Sequence, residues 1–169
     1  MTEQIRLRKG LNIKLKGRAK KETMPLESSK LYAIVLEDFV GVIPKMVVKA
    51  GDHVKTGETL FVNKNSEEVR FASPVSGVVK SIVRGDRRKI LYVSIEADNE
   101  QTFVDFGVKN VQTLDGEGVK KALLEAGLFG YINQLPYAVS TTPDTKPKAI
   151  FISALRDKPL QGDFEYELQ

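Results

Sequence analysis

Two tight corners, each followed by a short β-branched run, limit most strongly what this chain can fold into. The first lies in Pro44-Lys45-Met46-Val47-Val48-Lys49-Ala50-Gly51-Asp52-His53-Val54-Lys55-Thr56-Gly57-Glu58-Thr59-Leu60-Phe61, and the second in Phe71-Ala72-Ser73-Pro74-Val75-Ser76-Gly77-Val78-Val79. Gly51-Asp52 separates Val48 from Val54, and Gly57 follows three residues after Val54. Glycine tolerates the positive φ of a tight turn, and an aspartate can bond backbone close to itself. Apolar β-branched runs cut at such intervals read as short strands joined by hairpins and corners. The stretch from Pro44 to Val79 therefore predicts strand, Gly-Asp corner, strand, Ser-Pro corner, strand.

That order resembles the barrel-sandwich hybrid of biotinyl and lipoyl carrier domains. A carrier of that kind presents a modifiable lysine, usually flanked by methionine, on the hairpin between its two halves. Lys64, in Val62-Asn63-Lys64-Asn65-Ser66, is the one lysine between Phe61 and Phe71. No methionine adjoins it, and it follows Leu60 too closely for the carrier pattern. Lys64 reads as a solvated hairpin tip.

Composition excludes several chemistries. The chain has no cysteine, so disulfides, thiolate metal sites, iron–sulfur ligation and thiol catalysis are outside its reach. Its 169 residues suffice for a real core without covalent staples. The formal net charge of +4 comes from 26 basic and 22 acidic residues, largely interspersed. The densest basic runs are Arg6-Leu7-Arg8-Lys9, Lys14 to Lys21, and Arg84 to Lys89. Such runs can meet acidic lipid headgroups or an acidic partner face, but they usually mark solvated surface. Stacking aromatics are missing beside Lys14–Lys21, so nucleic acid is not an expected partner. No apolar run approaches the roughly 20 residues of a membrane helix, and the N-terminus lacks the apolar core of a secretory signal. The expected location is cytoplasmic.

In chain order, Ile5–Arg8 and Leu11–Leu15 alternate and predict two strands. Residues 17–29 are polar and contain Pro25, which predicts a loop. Leu31–Leu36 predicts a strand, turned by residues 37–41. After Val79, Gly85-Asp86 echoes Gly51-Asp52 and suggests a barrel of two similar strand–turn units. Ile90–Glu96 closes the set, with Phe103–Gly107 as a short edge segment. The character changes near residue 110. Residues 116–131 predict a helix, capped by Asp115, with Glu117 in its first turn and Gly127 near its end. Residues 134–148 hold three prolines and predict an extended loop. Lys148–Leu155 is an apolar run of strand length that reads as buried on both faces, as in a parallel α/β sheet. A helix and one strand do not complete an α/β layer, so the chain reads as the N-terminal part of something longer. The expected fold is mainly β with α/β: a barrel-sandwich domain over 1–108, then the start of a Rossmann-like segment over 109–169.

Four pieces in this order resemble one family: Arg8-Lys9-Gly10-Leu11, Gly41-Val42-Ile43-Pro44-Lys45-Met46-Val47-Val48-Lys49-Ala50-Gly51-Asp52, Phe71-Ala72-Ser73-Pro74-Val75-Ser76-Gly77, and Pro147-Lys148-Ala149-Ile150-Phe151-Ile152-Ser153-Ala154. They are similar to the NqrA family of the sodium-translocating NADH:quinone oxidoreductase. Arg84-Gly85-Asp86-Arg87-Arg88 fits the same pattern. The C subunit of the Rnf electron-transport complex is a relative with a similar opening. The resemblance implies a peripheral subunit on the cytoplasmic side of a bacterial inner membrane, in a complex that oxidises NADH, reduces quinone and pumps sodium. It implies membrane subunits as partners and an association with quinone. NADH oxidation, flavins and the iron–sulfur centre would belong to other subunits, leaving no cofactor and no catalytic activity in this stretch.

Residue by residue, little else points to chemistry. His53 is the only histidine and sits beside Asp52, whose place the corner already explains. A single histidine without a partner makes a poor acid–base or metal site. Gly127-Leu128-Phe129-Gly130 lies at the wrong end of its helix for a phosphate loop. No catalytic or metal-binding residue is therefore assigned. Leu128, Phe129, Tyr131 and Tyr137 form an aromatic-apolar group that reads as the core of the second domain, with a quinone pocket or a subunit interface as the functional readings. A different class of function also fits the residues: a barrel-sandwich scaffold or binding module without a redox role.

Overall fold

The two glycine corners share one device. At the first, the Lys49 amide donates to Asp52 Oδ2 at 2.9 Å while Asp52 N donates back to the Lys49 carbonyl, and Gly51 takes φ +94°. Six residues on, the Lys55 amide donates to Glu58 Oε2 at 2.9 Å, Glu58 N returns to the Lys55 carbonyl, and Gly57 takes φ +90°. Each corner is a four-residue turn with glycine at its left-handed position and an acidic side chain satisfying the first amide.

The computed structural model describes residues 15–17, 19–107, 110–152, 160 and 166. The chain divides into two compact units, Ser28–Lys146 and a second made of Met1–Glu27 with Pro147–Gln169. Two larger antiparallel sheets form the barrel of the first unit, which also carries a two-stranded hairpin. One has the order β1-β7-β6-β3, from β1 (Leu31–Val35), β7 (Ile90–Ala97), β6 (Gly77–Arg84) and β3 (His53–Val54). The other has the order β2-β4-β5, from β2 (Pro44–Met46), β4 (Thr59–Asn63) and β5 (Ser66–Ala72). Strand alternation sends Val69 and Phe71 inward from β5 while Glu68 and Arg70 face out. The first sheet contributes Val54, Val79, Val93 and Ile95, and the second contributes Leu60, Phe61, Val69 and Phe71, to one fully buried core. Each such side chain contributes about 1.5–3 kcal/mol through removal from water. The Phe61 and Phe71 rings stack at 4.6 Å with 8° between their planes.

The Ser73–Gly77 corner closes against a seam of side-chain bonds. Gln101 Oε1 accepts from Ser76 N at 2.7 Å, its Nε2 donates to the Ser76 carbonyl at 3.2 Å, and Ser76 Oγ accepts from Thr102 N at 2.9 Å. One glutamine amide thus pairs with a residue's backbone as a neighbouring strand would. Gly77 must be glycine because a Cβ there would come within 2.0 Å of the Glu96 carbonyl oxygen.

Helix α1 (Gly116–Glu125) begins as its cap predicts, with Asp115 Oδ1 accepting from Gly118 N at 2.7 Å. It ends earlier than residue 131. Gly127 takes φ +70°, Leu128 N donates to the Leu123 carbonyl and Gly127 N to the Leu124 carbonyl, the two bonds of a Schellman stop. Gly127 lies against the backbone of β5, where a Cβ would sit 3.2 Å from Ala72 N and 3.5 Å from the Arg70 carbonyl oxygen.

Several expectations are corrected. The Gly85-Asp86 echo is not a structural repeat: Gly85 has φ −97°, and the left-handed positions are Arg87 (φ 53°) and Arg88 (φ 63°). Lys89 N donates to the Asp86 carbonyl at 3.1 Å, giving a type I′ turn, which requires left-handed backbone at both central residues. Residues 134–148 are not simply extended, because β8 (Asn133–Gln134) and β9 (Val139–Ser140) pair as a hairpin. The run from Lys148 is not a buried strand over its described part: residues 148–152 carry no strand, and Ile150, Phe151 and Ile152 are 77%, 84% and 83% exposed. An apolar strand is buried only where flanking strands pair with it and layers cover it, and no described strand pairs with these residues. Residues 153–155 of that run, the Ile5–Arg8 strand and residues 11–14 of the Leu11–Leu15 strand lie outside the described residues.

Candidate functional site

The α1 stop turns the chain onto the barrel and builds an aromatic shelf. Phe129–Tyr131 forms a single 3₁₀ turn in which Gly130 is buried against Phe71. Phe39 fills the corner between barrel and turn. Its ring meets Phe71 edge-on at 4.6 Å, Tyr131 at 5.2 Å and Phe61 at 6.0 Å. Such edge-to-face pairs each contribute about 0.5–1.5 kcal/mol beyond burial. Tyr131 is half-buried, and desolvation raises its hydroxyl above the ordinary tyrosine value.

The β8–β9 hairpin is clamped at its base. Ser140 Oγ donates to the Gly130 carbonyl at 2.6 Å, Ser140 N to the Val40 carbonyl at 2.9 Å, and Thr141 N to the Ile132 carbonyl at 2.8 Å. Gly41, at φ +81°, passes so close beneath Val139 that a Cβ would lie 2.4 Å from its Cγ1. Gln134 Nε2 donates to Thr145 Oγ1 at 2.7 Å and Thr141 Oγ1 at 3.2 Å. At the tip, beside a cis Leu135–Pro136 bond, Leu135 and Tyr137 are 77% and 81% exposed. Leu128, Tyr131 and Ile132 add further exposed apolar surface. The aromatic-apolar group expected as the core of a second domain is therefore divided. Phe129 joins the barrel core, Tyr131 stays half-exposed against Phe39, and Leu128 and Tyr137 face solvent, because the clamped turn leaves one side of the chain for the barrel.

His53 has a partner that its sequence neighbourhood hides. Its Nε2 lies 2.8 Å from Asp98 Oδ2, while Asp52 is engaged by the corner. Both ring and carboxylate are accessible. Among the described residues no hydroxyl is bonded to the ring, so the pair joins β3 to the turn after β7 and offers no activated nucleophile. Beside it opens a cavity of about 280 Å³, with Tyr32, Val75, Gln101 and Phe103 in its wall. Lys64 stands exposed in the two-residue loop between β4 and β5, its amide donating to the Ile43 carbonyl at 2.7 Å. Among the described residues no three His, Asp or Glu side chains gather as a metal site. The start of α1 is unfavourable for a dinucleotide phosphate, since Asp115 already takes the Gly118 amide and Glu117 adds negative charge in the first turn.

Comparison with protein families assigns both parts of the chain. Residues 5–98 match the NqrA N-terminal barrel-sandwich hybrid domain, and residues 114–169 match the NqrA second alpha/beta domain. The chain belongs to the NqrA family. Its fold is a barrel-sandwich hybrid followed by an α/β part. Among curated NqrA relatives, the A subunit of the Na(+)-translocating NADH-quinone reductase of Cellvibrio japonicus is 34% identical over 161 residues, 94% of this chain and 36% of that protein. The NqrA proteins of Klebsiella pneumoniae and Neisseria meningitidis are 33% and 32% identical with the same coverage. The chain thus spans 36% of the length of the curated NqrA proteins it matches. None of the four sequence pieces that carry the resemblance contributes an exposed tip residue of the β8–β9 hairpin. Pro136-Tyr137, a rigid residue before an exposed aromatic, is the local signal that could have pointed to it.

Proposed function

We propose that this chain is the barrel-bearing part of the NqrA component of a Na(+)-translocating NADH-quinone reductase. It acts as a peripheral subunit on the cytoplasmic face of the bacterial inner membrane, and it contributes positioning and contact surface with no redox centre of its own. The supporting observation is the β8–β9 hairpin, which presents Leu135 and Tyr137 to solvent from a base clamped to the barrel. The partner of this surface is an integral membrane subunit of the same complex. None of the described helices is long and apolar enough to cross a membrane, so the reading relies on attachment through partners. Residues 1–108 and 109–169 are the proposed domain division, with the family bounds at 98 and 114 on either side of it.

In the full-length NqrA protein expressed with its complex, Leu135→Asp with Tyr137→Asp is expected to abolish co-purification with the membrane subunits while the thermal midpoint of the isolated chain stays unchanged. Co-purification at the wild-type level would refute the assignment of this surface. For the quinone-binding role we propose the Tyr131 shelf, supported by the half-exposed Tyr131 ring packed edge-on against Phe39. With no tryptophan in the chain, emission comes from its five tyrosines, and the Tyr131 share is the difference between wild type and Tyr131→Phe. Saturable quenching of the Tyr131 share by a water-soluble quinone is the expected result, and a Tyr131 share quenched no more than the other tyrosines removes the shelf from the proposal.

A further inference from the structure

At the tip of the β6–β7 hairpin, four cationic side chains help to line a cavity. Arg84, Arg87, Arg88 and Lys89 line an open space of about 350 Å³, and Leu36, Ile43 and Ile90 are among the apolar residues that line it with them. Lys89 Nζ is held by Glu37 Oε1 at 2.6 Å, and Arg84 Nη1 donates to the Arg88 carbonyl at 3.2 Å. Among the described residues no carboxylate pairs with the guanidiniums of Arg84, Arg87 or Arg88. Setting Glu37 and the adjacent Asp86 against the four cations leaves an excess of two positive charges.

The turn itself makes the choice of residues unusual. A type I′ turn strongly favours Asn-Gly, since both central residues have positive φ. Here arginine occupies both places, at φ 53° and 63°. Nothing in the packing requires arginine there, because both side chains are exposed. Guanidinium groups bind tetrahedral oxyanions through paired N–H donors, and a phosphomonoester carries about −1.5 to −2 at neutral pH, which matches the local excess. The volume exceeds what a bare oxyanion fills and reaches the lower range of small-molecule sites.

We propose that the Arg84–Arg87–Arg88 cavity is a binding site for a phosphomonoester with an apolar body. The inference is independent of the respiratory assignment, since it rests only on this turn and its cavity. The source is either a soluble organic phosphate or the headgroup of a phosphatidic-acid-type lipid.

The test uses the 169-residue chain and its Arg87→Asn, Arg88→Gly double variant. Phenyl phosphate binding is measured by calorimetry at about 0.15 M salt, where unfocused surface attraction is largely screened. Wild type is expected to bind, and the double variant to bind at least roughly tenfold more weakly. The variant's thermal midpoint is expected to rise by roughly 3 °C or more as the turn takes its preferred residues, so weak binding cannot be assigned to unfolding. Flotation with phosphatidic acid vesicles, against phosphatidylcholine alone, distinguishes the sources. Vesicle binding lost in the variant identifies the lipid, and phenyl phosphate binding without vesicle binding identifies a soluble phosphate. Equal affinity of wild type and variant, binding to neither phenyl phosphate nor the vesicles, or binding of an acidic glutamate peptide in preference to both would overturn the proposal.

Discussion

Gly130 is the most exacting position in the shelf, and Gly130→Ala tests how the α1 stop is joined to the barrel. A Cβ at residue 130 would lie 2.5 Å from Phe71 Cζ, 2.6 Å from its Cε1 and 3.1 Å from Val69 Cγ1. Phe71 and Val69 are fully buried, and Phe71 is stacked on Phe61, so neither has room to retreat. Overpacking of this kind costs about 1–3 kcal/mol. Alanine also restricts the unfolded chain, which returns about 0.4–1 kcal/mol. The net expectation is a loss of about 1–2 kcal/mol, or about 3–8 °C in the thermal midpoint of a unit this size. Gly51→Ala serves as the comparison. Nothing lies within 4 Å of that Cβ, but φ is +94°, so its cost is conformational and of similar size. Chemical denaturation of both variants, alone and combined with Phe71→Leu, separates the causes. Gly130→Ala should couple to Phe71→Leu by at least about 0.5 kcal/mol, and Gly51→Ala should add to it independently. Additivity at Gly130, or an unchanged midpoint, would refute the close approach of turn and ring.

Three other expectations follow from single contacts. Asp115→Ala removes the acceptor for Gly118 N and should cost about 1 kcal/mol, with frayed α1 amides exchanging faster by hydrogen exchange. Tyr131 has its pKa raised in the fold by desolvation, so its contribution is complete below the unfolded value of 10.0 and is lost as pH rises through the folded value. Stability of wild type should therefore fall more steeply than that of Tyr131→Phe in alkaline titrations followed by circular dichroism. Glu37 has its pKa lowered by the hydrogen bond and then the charge of Lys89, so its contribution is present above the unfolded value of 4.5 and lost as pH falls through the folded one. Carboxylate NMR should show the Glu37 titration move upward in Lys89→Met, and an unmoved titration would contradict the ion pair.

What could be read in the sequence was local. The Lys49–Asp52 corner and the Asp115 cap both rest on a short polar side chain bonding an amide three residues away, so spacing alone reveals them. Gly127 ends α1 for an equally local reason, although the apolar pattern carries the predicted helix on to residue 131, since a 3₁₀ turn resumes after the stop. Other features depend on residues far apart in the chain. His53 and Asp98 are 45 residues apart, and no periodicity announces their meeting. The shelf residues look like core because they are apolar, but burial depends on what lies opposite, and the barrel accepts only Phe129 and Gly130. The Gly85-Asp86 echo misled because a Gly-Asp pair fits several turn types, and pairing of β6 with β7 selected one that places arginines in the left-handed region.

The contact of Gly127 with β5 has a bearing on how the protein meets other molecules. β5 is the outer member of its sheet, and the Schellman turn lies across the Arg70–Ala72 stretch of its backbone. The opposite border strand, β2, is only three residues long and starts at a proline, which has no amide hydrogen to offer. Among the described residues, both margins of the three-stranded sheet are thus poor templates for an additional strand, which works against edge-to-edge aggregation. With backbone pairing blunted at both borders, recognition falls to side chains, above all those at the hairpin tips.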